Sequence, residues 1–137
     1  MIFLDTNVVS EDFRPEPNPA VLDWLGRHDV ELALSTVVIA EISYGISKIR
    51  PEQRARRLSL GLAEWRRRFT GRIFPFTEEA ALVYGEMMGD AARRGRGMQS
   101  MDGMIAAIAR IHGGRLATRN TAHFEHCGLD LIDPWTE

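Results

Sequence analysis

Ile2-Phe3-Leu4-Asp5-Thr6-Asn7 follows Met1 and decides how the rest of the chain is read. Three apolar residues halted by an acid, a hydroxyl and an amide predict a short buried strand that stops where polar groups begin. In open parallel sheets ligands bind beyond the carboxyl ends of the strands, so this reading alone sets Asp5 at a functional edge. Beyond the Pro15/Pro17/Pro19 loop, Val21, Trp24 and Leu25 recur at helical spacing. Leu32 to Leu34 predicts a second strand, and Ser35-Thr36 a capping pair for a helix with Val38, Ile42 and Ile46 on one face. Pro51 opens a longer helix whose apolar stripe is Leu58, Leu62, Trp65 and Phe69, with its arginines mostly off the stripe.

Ile73-Phe74-Pro75-Phe76 reads as a third strand, and Thr77 as the N-cap of a helix carrying Ala80, Val83, Tyr84, Met87 and Ala91 up to Gly95-Arg96-Gly97. Ser100 is expected to cap a last helix with Met101, Met104, Ile105, Ile108 and Ile111 on its apolar side, which Gly113-Gly114 stops. Leu116-Ala117 and Leu129 to Ile132 are short closing strands. Strands and helices that alternate across short connections predict a parallel α/β sandwich.

A chain of 137 residues, 45% hydrophobic, suits one domain over residues 1–137. The apolar start is too short for a signal peptide or a membrane span, so a cytoplasmic protein with no membrane partner is expected. The single cysteine, Cys127, has no disulfide or CxxC partner, which agrees with a reducing compartment. A net charge of -2 nominates no nucleic-acid binder by itself, yet of 17 basic residues only Lys48 is a lysine. The arginines gather as Arg54, Arg56, Arg57, then Arg66, Arg67, Arg68, Arg72, then Arg93, Arg94, Arg96. Guanidinium forks match phosphates and carboxylates, so Arg66 to Arg68 and Arg93, Arg94 and Arg96 are RNA-binding candidates. Solvated helix faces or an acidic partner protein are the competing explanations.

Glu41 falls about one and a half turns into the helix after the second strand and can lean back over the edge that holds Asp5. Asp102 sits in the first turn of the last helix, where the helix dipole favours a carboxylate whether or not it has a further role. Each acid alone has an ordinary structural explanation, but three acids from separate segments on one edge form a constellation.

Leu4-Asp5-Thr6-Asn7-Val8-Val9-Ser10, Ser35 through Glu41 with Gly45, and Asp102-Gly103-Met104-Ile105-Ala106-Ala107 together resemble the PIN-domain nucleases, in particular their VapC/FitB-like toxin branch. Leu116-Ala117-Thr118-Arg119-Asn120, Phe124 and the run Gly128 to Trp135 resemble that family's closing segments, so the likeness covers nearly the whole chain. It implies a three-layer α/β/α sandwich with a short parallel sheet and an acidic pocket for one or two divalent ions, Mg2+ or Mn2+. Asp5, Glu41 and Asp102 would be both the catalytic residues and the metal ligands. Thr6, Asn7, Ser35 and Thr118 would support them. RNA is the implied substrate, cut by a metal-activated water to leave 5′-phosphate and 3′-hydroxyl ends, and oxygen ligands suit hard divalent ions for that task.

The chain departs from the pattern where many relatives carry a fourth acid, because Asn120 and His123 stand there instead. Asn120 can orient a water, and His123 can bind manganese, shuttle a proton or face solvent. The resemblance further implies a toxin of a toxin–antitoxin pair. Its partner would be a cognate antitoxin with a DNA-binding domain and a tail that enters the active-site groove. A homodimer, and a heterotetramer or larger assembly with the antitoxin, are expected, with the Leu58 to Phe69 and Val83 to Ala91 helices as the candidate dimer surface. Two rivals are a degenerate module that only holds RNA or a partner, and a haloacid-dehalogenase-like phosphatase. The three core acids argue against the first. Against the second, position 7 is Asn7 rather than an acid, and the only lysine, Lys48, lies in a helix after Glu41.

Overall fold

A computed structural model describes residues 1–137. Its centre is β1 (Ile2–Leu4), whose three side chains are wholly buried, as an apolar run inside a parallel sheet requires. β2 (Leu32–Ser35) and β4 (Arg115–Ala117) pair with β1 on either side. β3 (Ile73–Phe74) and β5 (Leu131–Ile132) form the edges. All five strands are parallel in the order β3-β2-β1-β4-β5. The chain builds outward from β1 to β3 and then crosses back to lay β4 on the other side of β1. Order therefore reverses between β1 and β4, and a crevice opens beyond their carboxyl ends.

Six helices connect the strands and flank the sheet, giving the expected α/β architecture. α1 (Thr6–Glu11) and α2 (Pro19–Arg27) lie between β1 and β2, and α3 (Thr36–Lys48) and α4 (Gln53–Arg68) between β2 and β3. α5 (Glu78–Arg93) and α6 (Ser100–Ile111) make the crossover to β4, and a 3₁₀ turn at Thr121–Phe124 leads towards β5. Ser35 caps α3 by accepting from the Val38 amide at 3.2 Å, and Thr77 caps α5 by accepting from Ala80 at 3.1 Å, both as the sequence predicts. Gly113 ends α6 in a left-handed conformation, φ 63°, from which the Gly114 amide reaches back to the Ala109 carbonyl at 2.9 Å.

Several boundaries differ from expectation. The six-residue α1 has no counterpart in the sequence reading, since it is too short to show a helical period. β3 stops at Phe74 because Pro75 has no amide to give to the ladder, and β5 covers only Leu131–Ile132. α4 begins at Gln53 rather than Pro51. Ser100 does not cap α6; Gln99 holds that position without a side-chain bond, and Ser100 is the first helical residue. On α4 the stripe is uneven, with Trp65 and Phe69 buried and Leu58 and Leu62 only half-buried. No helix is long and apolar enough to cross a membrane.

Candidate active site

Asp5 leaves the end of β1 with 4% of its surface exposed, beside the point where strand order reverses. Such a carboxylate needs donors, and three converge on it. The Thr6 amide gives to Oδ1 at 2.8 Å, while Thr118 Oγ1 at 2.8 Å and Asn7 Nδ2 at 3.2 Å give to Oδ2. Thr118 is fully buried at the end of β4 and in turn accepts from the Asn120 amide at 3.0 Å. Asn7 Oδ1 accepts from the Arg119 amide at 3.2 Å, so the start of α1 and the segment after β4 are tied across the crevice. Burial pushes the Asp5 carboxyl above its ordinary value, against the pull of these hydrogen bonds.

Glu41 reaches the same edge from α3, where Thr6 Oγ1 donates to its Oε1 at 2.6 Å. Thr6 thus serves two acids, its amide holding Asp5 and its hydroxyl holding Glu41. Ser35 acts one step back, capping the helix that carries Glu41. Asp102, in the first turn of α6, is half-buried, and its Oδ2 lies 3.5 Å from His123 Nδ1. Its carboxyl is also raised, first by burial and then by the negative charges of Asp5 and Glu41, with His123 opposing. Mutual repulsion of this kind places the three acids in one electrostatic neighbourhood.

They do not form a closed cage, for no three His, Cys, Asp or Glu side chains stand ready to ligate one ion. An open arrangement still fits magnesium or manganese. Every donor is a hard oxygen, and magnesium keeps several waters and takes only one or two carboxylates directly. A cation is also what would relieve the strain of gathering three acids. Of the positions where a fourth acid was looked for, Asn120 contributes its backbone amide to Thr118, and exposed His123 stands against Asp102.

Two clefts meet at the acids. One, of about 550 Å³ between α1, α3 and α4, has Thr6 and Glu41 in its wall together with Phe13, Ile42, Ile46 and Leu58 and the basic Arg54 and Arg57. The other, of about 590 Å³ between α5, α6 and the Thr121–Phe124 turn, has Asp102 and His123 in its wall with Arg94, Arg96 and His126. The two arginine clusters singled out in the sequence therefore part company. Arg68 Nη2 binds Asp29 Oδ1 at 2.6 Å, and Arg72 Nη1 caps the Asp29 and Leu32 carbonyls at 2.7 and 3.0 Å. That is where β2 begins, so Arg66, Arg67 and Arg68 end α4 at the edge opposite Asp5. Arg93 and Arg94 share Asp90 at 3.0 and 3.1 Å, and Arg94 and Arg96 face the Asp102 cleft. Arg54, Arg57 and His126 were not among the sequence candidates. The three-residue step from Arg54 to Arg57 along one helix face was a signal for the first two, whereas nothing in the local sequence marks His126.

Comparison with known proteins adds an independent line. Residues 2–128 match the family model described as the PIN domain. The chain is 39% identical to the VapC ribonuclease Y4jK of Sinorhizobium fredii, over 98% of this chain and 98% of that protein. It is 36% identical to toxin FitB of Neisseria gonorrhoeae, over 98% of this chain and 99% of that one. The solved structure of FitAB bound to an IR36 DNA fragment superposes with a TM-score of 0.90 at 35% identity, covering 98% of this chain and 96% of that chain.

Proposed function

The chain belongs to the PIN-domain family, and from that premise we propose that it is an endoribonuclease, the toxin of a toxin–antitoxin pair, which hydrolyses RNA phosphodiester bonds with divalent cations held by Asp5, Glu41 and Asp102. The observation that carries this reading is the convergence of three carboxylates from β1, α3 and α6 on one edge, where burial raises Asp5, and burial together with the charges of Asp5 and Glu41 raises Asp102. The relatives named above supply the reaction class, being a ribonuclease and a toxin.

When bound, the cation supplies a Lewis acid that lowers the pKa of water and offsets charge gathering on the phosphodiester. The chain's own groups prepare for it. Thr118, Asn7 and the Thr6 amide fix both oxygens of Asp5, so this ligand costs little to order when the ion arrives. Glu41 and Asp102 are held by one contact each and can adjust. His123 Nδ1 faces Asp102 Oδ2 at 3.5 Å, and its exposed imidazole can hold or move a proton at that atom. Products would carry 5′-phosphate and 3′-hydroxyl ends.

Residues 1–137 would act as a single domain in the cytoplasm, restrained by an antitoxin with a DNA-binding domain. DNA bound to the FitAB assembly is consistent with such a partner. An antitoxin tail lying in the α1–α3–α4 cleft would reach Glu41, where an arginine could pair with the carboxylate and exclude the cation. Homodimers, joined to antitoxin as heterotetramers or larger assemblies, complete the reading. A direct test incubates the isolated chain with RNA and magnesium or manganese, then maps the new ends. The reading expects cleavage that EDTA abolishes and either metal restores. Cleavage unaffected by EDTA, or 2′,3′-cyclic phosphate ends, would rule it out.

A further inference from the structure

A polymer substrate imposes a condition that a single reacting phosphate does not: the nucleotides beside the cut must run across the surface next to the acids. Two clefts offer that path. The α1–α3–α4 cleft mixes apolar side chains such as Phe13, Ile42 and Ile46 with the basic Lys48, Arg54 and Arg57, and of the acids it holds Glu41. The α5–α6 cleft is about as large and shares Asp102 and His123 with the acid cluster. Its basic groups are not all spent on the protein. Arg94 is held by Asp90, but Arg96 is exposed and meets no carboxylate. Arg96 Nη1 instead faces His126 Nδ1 at 3.4 Å, two exposed nitrogen groups from segments thirty residues apart. A guanidinium only donates, so His126 Nδ1 accepts this bond and its ring N–H is Nε2; a phosphate can then accept from the remaining Arg96 N–H groups and from the His126 ring N–H.

We infer that the cleft between α5, α6 and the Thr121–Phe124 turn is a subsite for the backbone of single-stranded RNA, in which Arg96 and His126 hold a phosphate of the strand as it leaves the acid cluster. The inference rests on the ribonuclease reading and adds to it the path of the strand and the residues that set it. Arg66 and Arg67 lie at the opposite edge and take no part.

The probe is a fluorescent single-stranded RNA of mixed sequence, about 12 nucleotides long, titrated with the full chain carrying Asp5→Asn at several salt concentrations between about 0.05 and 0.3 M. Arg96→Gln with His126→Gln is expected to weaken binding at least about fivefold and to flatten the log–log salt slope by roughly 0.7 per lost contact. Arg96→Lys should keep most of the slope, and Arg66→Gln with Arg67→Gln should leave slope and affinity unchanged. All positions are exposed, and equal melting curves verify the fold. Parent slope and affinity in the double variant would overturn the subsite. So would a polyglutamate peptide that competes as well as RNA and loses the same factor in the double variant, since the cleft would then serve an acidic protein segment. If the unmodified chain cleaves RNA with magnesium or manganese while the double variant binds like its parent, only the subsite fails. If the unmodified chain neither binds nor cleaves RNA, the ribonuclease reading falls and the subsite with it.

Discussion

Asp5 keeps its place by hydrogen bonds from both sides of the crevice, and Thr118 gives the one that comes from β4. Replacing Thr118 with valine removes a donor from a buried carboxylate while preserving shape. A lost bond to a charged acceptor costs about 1–3 kcal/mol, so Thr118→Val should lower the melting temperature by several degrees and weaken metal binding, and Thr118→Ser should recover both. Thermal melts with and without magnesium check this. Substituting Asp102 acts in the opposite sense, because only His123 offsets the burial and like charges that raise its carboxyl. Ionising such a group costs stability. The penalty is absent at pH below the unfolded carboxyl's range, grows as pH rises to the folded value, and is complete at neutrality. In chelator, Asp102→Asn should therefore melt about 1–3 °C above the parent at neutral pH, with the gap closing as pH falls through the acid range. A gap that widens on acidification would contradict the assigned cause.

At the scale of elements, α3 and α6 carry Glu41 and Asp102 to the edge, and local sequence sets how each begins. Ser35→Ala removes the α3 cap and should cost about 1 kcal/mol, measured by denaturant unfolding. It should also raise the metal concentration needed for activity, because Glu41 rides on that helix. α6 is positioned by close approach to α5, where a Cβ on Gly103 would come within 2.6 Å of Met88 Sδ and 3.0 Å of Tyr84. Much of this was legible beforehand. The strand of Ile2 to Leu4, the Ser35 and Thr77 caps and the long helices follow from apolar period and capping chemistry. The short α1 was not, because six residues carry less than two helical turns of pattern. Nor was the open start of α6, where Ser100 has the right chemistry for a cap but the chain turns one residue earlier.

For the whole molecule, the reversal of strand order between β1 and β4 decides where chemistry gathers, and Asp5 and Thr118 face each other across it. Asp5 and Glu41 could be picked from the sequence because each follows a recognisable strand or cap, whereas Asp102 was picked on a helix whose expected Ser100 cap does not form. The pairing of Arg96 with His126 could not, since only the packing of the Thr121–Phe124 segment beside α5 and α6 makes neighbours of residues thirty apart. Arg66 to Arg68 end α4 against Asp29 at the start of β2, away from the acids, a separation that sequence clustering alone conceals. On the proposed function, Asp5, Glu41 and Asp102 act together on RNA through a shared cation. The measurement is the rate of RNA cleavage by Asp5→Asn, Glu41→Gln and Asp102→Asn at limiting magnesium, each variant first shown to keep the parent's circular dichroism. The account predicts loss of at least about a hundredfold in all three, consistent with removal of a ligand or partner essential to the site; parental rates in any two of them would contradict it.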